Sequence, residues 1–122
     1  MKIIEAINRA DALKFNNYTQ QEKVAWLSAL DGKIKAEIID THEGEEVAFT
    51  GYDDNTPLDT VLLAPAPYDE LYIRWIEAQV DYCNGEIGKY NNSINMFNTE
   101  YSQFNRWYNR THKPKGVYLN NY

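Results

Sequence analysis

The sequence predicts an all-α fold: two short N-terminal helices and one long C-terminal helix. Three observations carry this. Apolar and aromatic residues recur at alternating steps of three and four from Ile73 to Tyr108 (Ile73, Ile76, Val80, Cys83, Ile87, Tyr90, Ile94, Phe97, Tyr101, Phe104, Tyr108), a period of 3.5 with no proline inside it. Two shorter helical patterns precede it. The stretch between them and the seam is acidic, irregular and punctuated by Gly and Pro.

In chain order, Ile3 to Leu13 carries Ile3, Ile7 and Ala10 on one face, a short amphipathic helix. Thr19-Gln20-Gln21-Glu22 reads as a capping box, in which the Thr19 hydroxyl and the Glu22 carboxylate reciprocally satisfy backbone amides, so a second helix starts there. Its buried stripe is Val24, Leu27, Leu30, Ile34 and Ile38 with Trp26 alongside, and it ends near Asp40. Residues 41–66 form an irregular acidic loop. Val47-Ala48-Phe49 offers a short strand before the turn at Gly51–Asn55, giving room for a small β-hairpin, and Leu58, Val61, Leu62 and Leu63 then tuck onto the helices. Pro67 suits the first turn of the long helix, where its missing N–H costs nothing, and Asp69 and Glu70 complement the helix dipole there.

A helix from Pro67 to Asn109 is roughly 60 Å long. The rest of a 122-residue chain is short for covering it. Two readings of the seam follow: the core stripe of this domain, or a stripe whose C-terminal half also meets another copy. Gly85 and Gly88 lie inside the pattern and each costs about 1 kcal/mol in a helix interior. A helical hairpin near Asn84–Gly88 is the alternative to one continuous helix. Residues 112–122 form an extended C-terminal tail bearing Tyr118, Leu119 and Tyr122.

The composition is that of one folded helical domain, residues 1–122: 43% hydrophobic, with ten Tyr and three Trp, which suit both cores and interfaces. The net charge of −6 argues against sequence-specific nucleic-acid binding. The charge is also split. No Lys or Arg falls between Ala36 and Ile73, where ten carboxylates lie, and Arg106, Arg110, Lys113 and Lys115 follow the last acidic residue, Glu100. Such ends suit a head-to-tail contact between subunits, or two solvated surfaces. The lone Cys83 reads as a small buried hydrophobe. The N-terminus lacks a signal-peptide pattern and no apolar run is long enough to span a membrane, so the expectation is a protein made in the cytoplasm with no membrane partner.

Chemistry is sparse. His42-Glu43-Gly44-Glu45-Glu46 lacks the second His of a zinc helix, and Asp53, Asn55 and Asp59 do not follow the calcium-loop pattern. No phosphate loop and no CxxC occurs. No catalytic residue, metal or cofactor is expected, and an enzyme is not the reading of choice. The expected interface residues are Tyr90, Ile94, Phe97, Tyr101, Phe104, Trp107 and Tyr108 on the seam, with Arg106, Arg110, Lys113, Lys115, Tyr118 and Tyr122 after it.

Several stretches carry a resemblance. Asp11–Lys14, Lys23-Val24-Ala25-Trp26-Leu27-Ser28, Asp31–Lys35, Asp40–Gly44, Leu63-Ala64-Pro65-Ala66-Pro67-Tyr68-Asp69-Glu70-Leu71-Tyr72 and Tyr101–Gly116 resemble small virion proteins of tailed phages and prophages of Gram-positive bacteria. The overall pattern is similar to head–tail connector proteins, also called head-completion or adaptor proteins. Those are small helical proteins that form a ring under the portal vertex. The resemblance implies a homo-oligomer, with the phage portal protein and neighbouring connector or tail proteins as partners. It implies a place in the host cytoplasm during assembly and then at the head–tail junction of the virion. It brings no catalytic residues. Other roles on the same helical scaffold are a tail-completion protein and an acidic binding or inhibitor module.

Overall fold

The computed structural model describes residues 1–44 and 46–116. Among them are four helices: α1 (Ile3–Leu13), α2 (Gln20–Ile34, continued by a π-helical turn over Lys35–Ile39), α3 (Glu70–Cys83) and α4 (Ile87–Thr111). No strand occurs among the described residues, only isolated bridges at Lys2–Val61 and His42–Pro114.

The two N-terminal helices start and stop where local chemistry directs. The Thr19 Oγ accepts from the Glu22 amide at 3.1 Å, and the Thr19 amide donates to Glu22 Oε1 at 3.0 Å. Val24, Leu27, Leu30, Ile34 and Ile38 are all buried. At the far end of α2 the Asp40 amide donates to the Lys35 carbonyl at 2.8 Å, an i→i+5 bond that inserts one residue into the turn and buries Ile38 and Ile39 side by side.

The seam does not lie on one helix. It reverses at Asn84-Gly85-Glu86, and α4 returns antiparallel along α3: Tyr82 meets Tyr90, Asp81 meets Ser93, Trp75 meets Phe97 and Tyr68 meets Phe104. The hairpin alternative therefore holds and the continuous 60 Å helix does not. The physical cause is Gly85, which takes a φ of +72°, a conformation that L side chains rarely adopt. With the stripe folded on itself, the two halves bury each other. Helix α3 also starts later than expected, at Glu70. Pro65–Asp69 forms a turn with a cis Ala66–Pro67 bond, closed by the Tyr68 amide donating to the Pro65 carbonyl.

Helix α3 is central and touches each of the other helices. It runs parallel to α1 (Arg9 to Glu70, Lys14 to Asp81) and antiparallel to α2 (Trp75 to Trp26, Tyr72 to Asp31). Leu71, Tyr72, Ile73, Ile76, Ala78 and Val80 are fully enclosed. The irregular segment lies back along α2 instead of forming a hairpin. Phe49 approaches Gly32, the Tyr52 amide donates to Ser28 Oγ, and Asp54 meets Gln21. It then caps α1, with the Ile3 and Ile4 amides donating to Thr60 and Leu58 carbonyls at 3.0 Å. Leu62 is buried as expected, whereas Val61 faces outward because its backbone pairs with Lys2.

One carboxylate ties these pieces. Asp31, with no exposed surface, accepts from the Tyr72 hydroxyl at Oδ1 and from the Tyr52 hydroxyl and the Leu63 amide at Oδ2. The Tyr72 oxygen in turn accepts from the Ala64 amide at 2.7 Å. Burial pushes the Asp31 carboxyl upward, and these hydrogen bonds offset only part of that.

Two stability tests follow. Gly85→Ala should cost about 1 kcal/mol through backbone strain alone, and Gly88→Ala, inside α4, should gain roughly 0.5–1 kcal/mol. Neither added methyl meets an atom within 4 Å, so denaturant midpoints should move in opposite directions. Asp31→Ala strands three buried donors and should cost on the order of 3 kcal/mol. A native pKa raised above the unfolded value of about 3.9 means the folded chain binds this proton more tightly. That contribution is fully present below the unfolded pKa and is lost as pH rises through the native one. Measured against Asp31→Asn, the wild type should therefore gain relative stability as pH falls from 7 toward 4.

Candidate functional site

The ends of the helices define two candidate regions. At one end, here called the tip, α1 and α3 finish and α2 and α4 begin. Lys14 pairs with buried Asp81, which also accepts from Ser93, and the Tyr18 hydroxyl donates to Asn84 Oδ1. These polar contacts fasten the tip from within, and apolar side chains are left outside. Phe15 is 86% exposed, Ile87 73%, Tyr82 66% and Leu13 63%. Tyr82 and Tyr90 stand with ring centroids 5.5 Å apart. With Ile87, Gly85 and Asp81 they line a cleft of about 380 Å³ whose walls are mainly apolar. Glu86 sits on its rim, and the Lys89 ammonium hydrogen-bonded to it holds its carboxyl below the ordinary glutamate range. Cys83 is exposed here, not buried as its seam position suggested, because the last turn of α3 runs beyond its cover.

At the opposite end, α4 outruns α3 and is closed by the chain segments on either side of His42. The Glu43 amide donates to the Lys113 carbonyl at 2.7 Å and the Lys115 amide to Thr41 at 2.9 Å, an antiparallel strap. Buried His42 is its pin, with Nδ1 2.6 Å from the Ile38 carbonyl and Nε2 2.6 Å from the Asn109 side-chain amide. The Tyr108 ring meets His42 edge-on and stacks on His112 at 3.8 Å. An open polar recess of about 440 Å³ adjoins the strap, lined by Lys35, Asp40, His42, Glu46 and Lys115 among others. The basic end and part of the acidic segment thus already meet inside one chain.

The expected interface residues fall into distinct places. Phe97 and Phe104 are buried in the core. Ile94, Tyr101, Trp107 and Tyr108 are partly buried and packed on it. The Tyr101 hydroxyl donates to Glu37 on α2, and burial with that contact pushes its pKa up. Tyr90 belongs to the tip cleft. Arg106 and Arg110 are exposed on α4 and form no ion pair among the described residues. Lys113 and Lys115 are exposed on the strap. Tyr118 and Tyr122 lie outside the described residues.

Leu13, Phe15, Tyr82 and Ile87 were not among the expected residues. Tyr82 and Ile87 flank the Asn84-Gly85-Glu86 turn, and Leu13 and Phe15 flank Lys14 at the end of α1. Among the described residues, no group of three or more His, Cys, Asp or Glu is placed to hold a metal ion, and no helix is long and apolar enough to cross a membrane. Comparison with protein-family models, curated proteins and solved structures finds no match.

The strap is testable. Asn109→Ala removes the side-chain partner of His42 and should raise amide exchange at Glu43 and Lys115 roughly tenfold, the equivalent of about 1–1.5 kcal/mol. Amides in the middle of α3 should stay protected, as hydrogen-exchange mass spectrometry or NMR would read.

Proposed function

We propose that this chain is a structural assembly protein of a tailed phage or prophage, a head–tail connector or adaptor whose copies form a ring at the portal vertex. The observation that carries the assembly part is the tip. Most apolar side chains are folded inward, yet Tyr82 and Ile87 stand open on an apolar cleft, and Leu13 and Phe15 are exposed at the end of α1 that finishes at the same end of the bundle. Clustered apolar exposure of that kind marks a surface meant to be covered. The connector part rests on the resemblance of six stretches, from Asp11 to Gly116, to phage virion proteins. On this reading the chain performs no catalytic step, and its partners are further copies, the portal protein and adjoining connector or tail proteins.

The acidic inhibitor alternative calls for one contiguous acidic face. Part of the acid is taken up elsewhere: Asp31 and Asp81 are internal, and Asp11, Asp40, Glu70, Glu77 and Glu86 are each engaged by a cation, while Glu43, Glu46, Asp53, Asp54 and Asp59 remain exposed on the loop.

Mass in solution tests the proposal. Light scattering after size exclusion, over a concentration series and with the portal protein of the same phage added, should reveal a large discrete species in at least one condition. A monomer at every concentration that also ignores the portal protein would overturn it.

A further inference from the structure

We propose that the recess lined by Tyr68, Gln103, Arg106 and Arg110 receives the carboxylates of the Asp53–Asp54 turn of a second copy of this chain. This rests on the assembly reading and names one contact behind it.

The first ground is the recess. Gln103, Arg106 and Arg110 follow one another at steps of three and four, so they share one face of α4. With Tyr68 they line an open hollow of about 240 Å³. One wall is fixed in place: the Tyr68 ring stacks on Trp107 with centroids 5.1 Å apart, and the Tyr68 amide donates to the Pro65 carbonyl at 2.9 Å. Elsewhere the cations of the helices are engaged, and Arg9, Lys14, Lys23, Lys35, Arg74 and Lys89 each hold a carboxylate. Arg106 and Arg110 are exposed and hold none among the described residues. Two guanidinium groups on one helix face offer forked donors matched to carboxylate oxygens.

The second ground is the occupant. A net charge of −6 disfavours nucleic-acid phosphate as the source of the anion, and the chain itself carries the complementary charge. Asp53 and Asp54 are consecutive, exposed and joined to no cation among the described residues. Neighbouring Cα atoms lie about 3.8 Å apart, and residues four apart on a helix lie about 6 Å apart at Cβ. Two carboxylates on one turn can therefore face two arginines at once. The turn is already ordered: Asp53 Oδ1 accepts from the Asn55 amide at 2.8 Å, and the Asp53 amide donates to Thr56 Oγ1 at 2.8 Å. Docking then costs little further ordering.

The third ground is position. The Gln21 side chain, in the first turn of α2, donates to Asp54. Arg106 lies beyond Tyr101, whose hydroxyl reaches Glu37 at the far end of α2 and its π-helical turn. From Gln21 to Glu37 the helix rises about 24 Å. The turn belongs to the tip end and the recess to the strapped end, so their pairing joins different molecules. The two surfaces differ, which makes the contact heterologous. Repetition closes a ring if the rotation between copies closes, and otherwise runs open.

The test uses the full chain in charge-reversed forms. One carries Arg106→Glu and Arg110→Glu. The other carries Asp53→Asn and Asp54→Lys, since asparagine keeps the acceptor that the turn needs. Sedimentation velocity reads association, and NMR reads which amides and arginine N–H groups respond to concentration. In the wild type, signals of residues 53–56 and 103–110 should shift together as concentration rises, and high salt should reverse the shift. Each form alone should associate roughly tenfold more weakly than the wild type. Mixed in equal amounts they should associate again, because each recess then meets a turn of opposite charge. Arg106→Gln with Arg110→Gln, which adds no acid near a helix C-terminus, should weaken association in the same direction at an unchanged melting temperature. Reversed forms that the mixture does not rescue, or no shift at the two patches at the highest concentration, overturn the contact. So does a short DNA duplex that shifts the recess signals at lower concentration than the chain itself, which would make the recess a phosphate site. If the wild type and both forms assemble alike, with or without the portal protein, the contact falls and the assembly reading stands. If the two patches meet as expected and no large discrete species forms even with the portal protein, the contact stands and the connector reading falls.

Discussion

The structure depends on one buried carboxylate. The chain between α2 and α3 is long and forms no strand among the described residues, so its amides need acceptors when they are drawn into the core. Asp31 supplies them, directly to Leu63 and through the Tyr72 oxygen to Ala64, and it holds Tyr52 from the same loop. Ser28, one turn earlier on α2, takes the Tyr52 amide. The polar residues of α2 thus stand in for the strand partner that the loop lacks. An apolar residue at position 31 would leave those donors buried and unpaired. A charge there is costly, and the three hydrogen bonds it accepts are what make it tolerable.

Once the loop is held, the rest is a matter of which surfaces find cover. The loop delivers Leu62 and Ala64 onto α3 and caps α1, and α4 closes the remaining face of α3. The long end of α4 is covered by Tyr68 and the strap around His42. Among the described residues nothing performs that office at the tip, where four helix ends converge and polar contacts fasten them from within. The asymmetry between a strapped end and an open end is what distinguishes this bundle from a self-contained one.

Elements fixed by neighbours in sequence were legible, and those fixed by distant partners were not. The Thr19–Glu22 box and the stripes of α1 and α2 report local geometry, and their boundaries agree with the structure. The heptad count failed at Gly85 for a definite reason. It measures angle about one axis, and a three-residue turn between Cys83 and Ile87 leaves the count intact while the axis reverses. Two facing inner stripes then imitate one continuous seam. The glycine was visible in the sequence, but the exposure of Cys83 and Ile87 on either side of it was not. Val47–Phe49 has the composition of a strand, yet the segment lies along a helix. The strap joins positions some seventy residues apart through backbone groups, which leave no mark on side-chain pattern. Of the tip residues, Tyr82, Leu13 and Phe15 lie off the seam, and Ile87, which lies on it, is exposed because the chain reverses just before it.

The π-helical turn at Lys35–Ile39 carries a consequence for how this chain tolerates insertion and deletion. The extra residue in that turn rotates everything after it by about 100° relative to a regular helix. Thr41 and His42, which grip the end of α4, are oriented by that offset. Removal of a single residue such as Ala36 would restore ordinary helical winding and leave the core of α2 up to Ile34 in register. It would also swing the pin away from Asn109. The reading frame of the bundle thus contains one indispensable irregularity, and a length change of one residue there would separate the fate of the strapped end from the fate of the core.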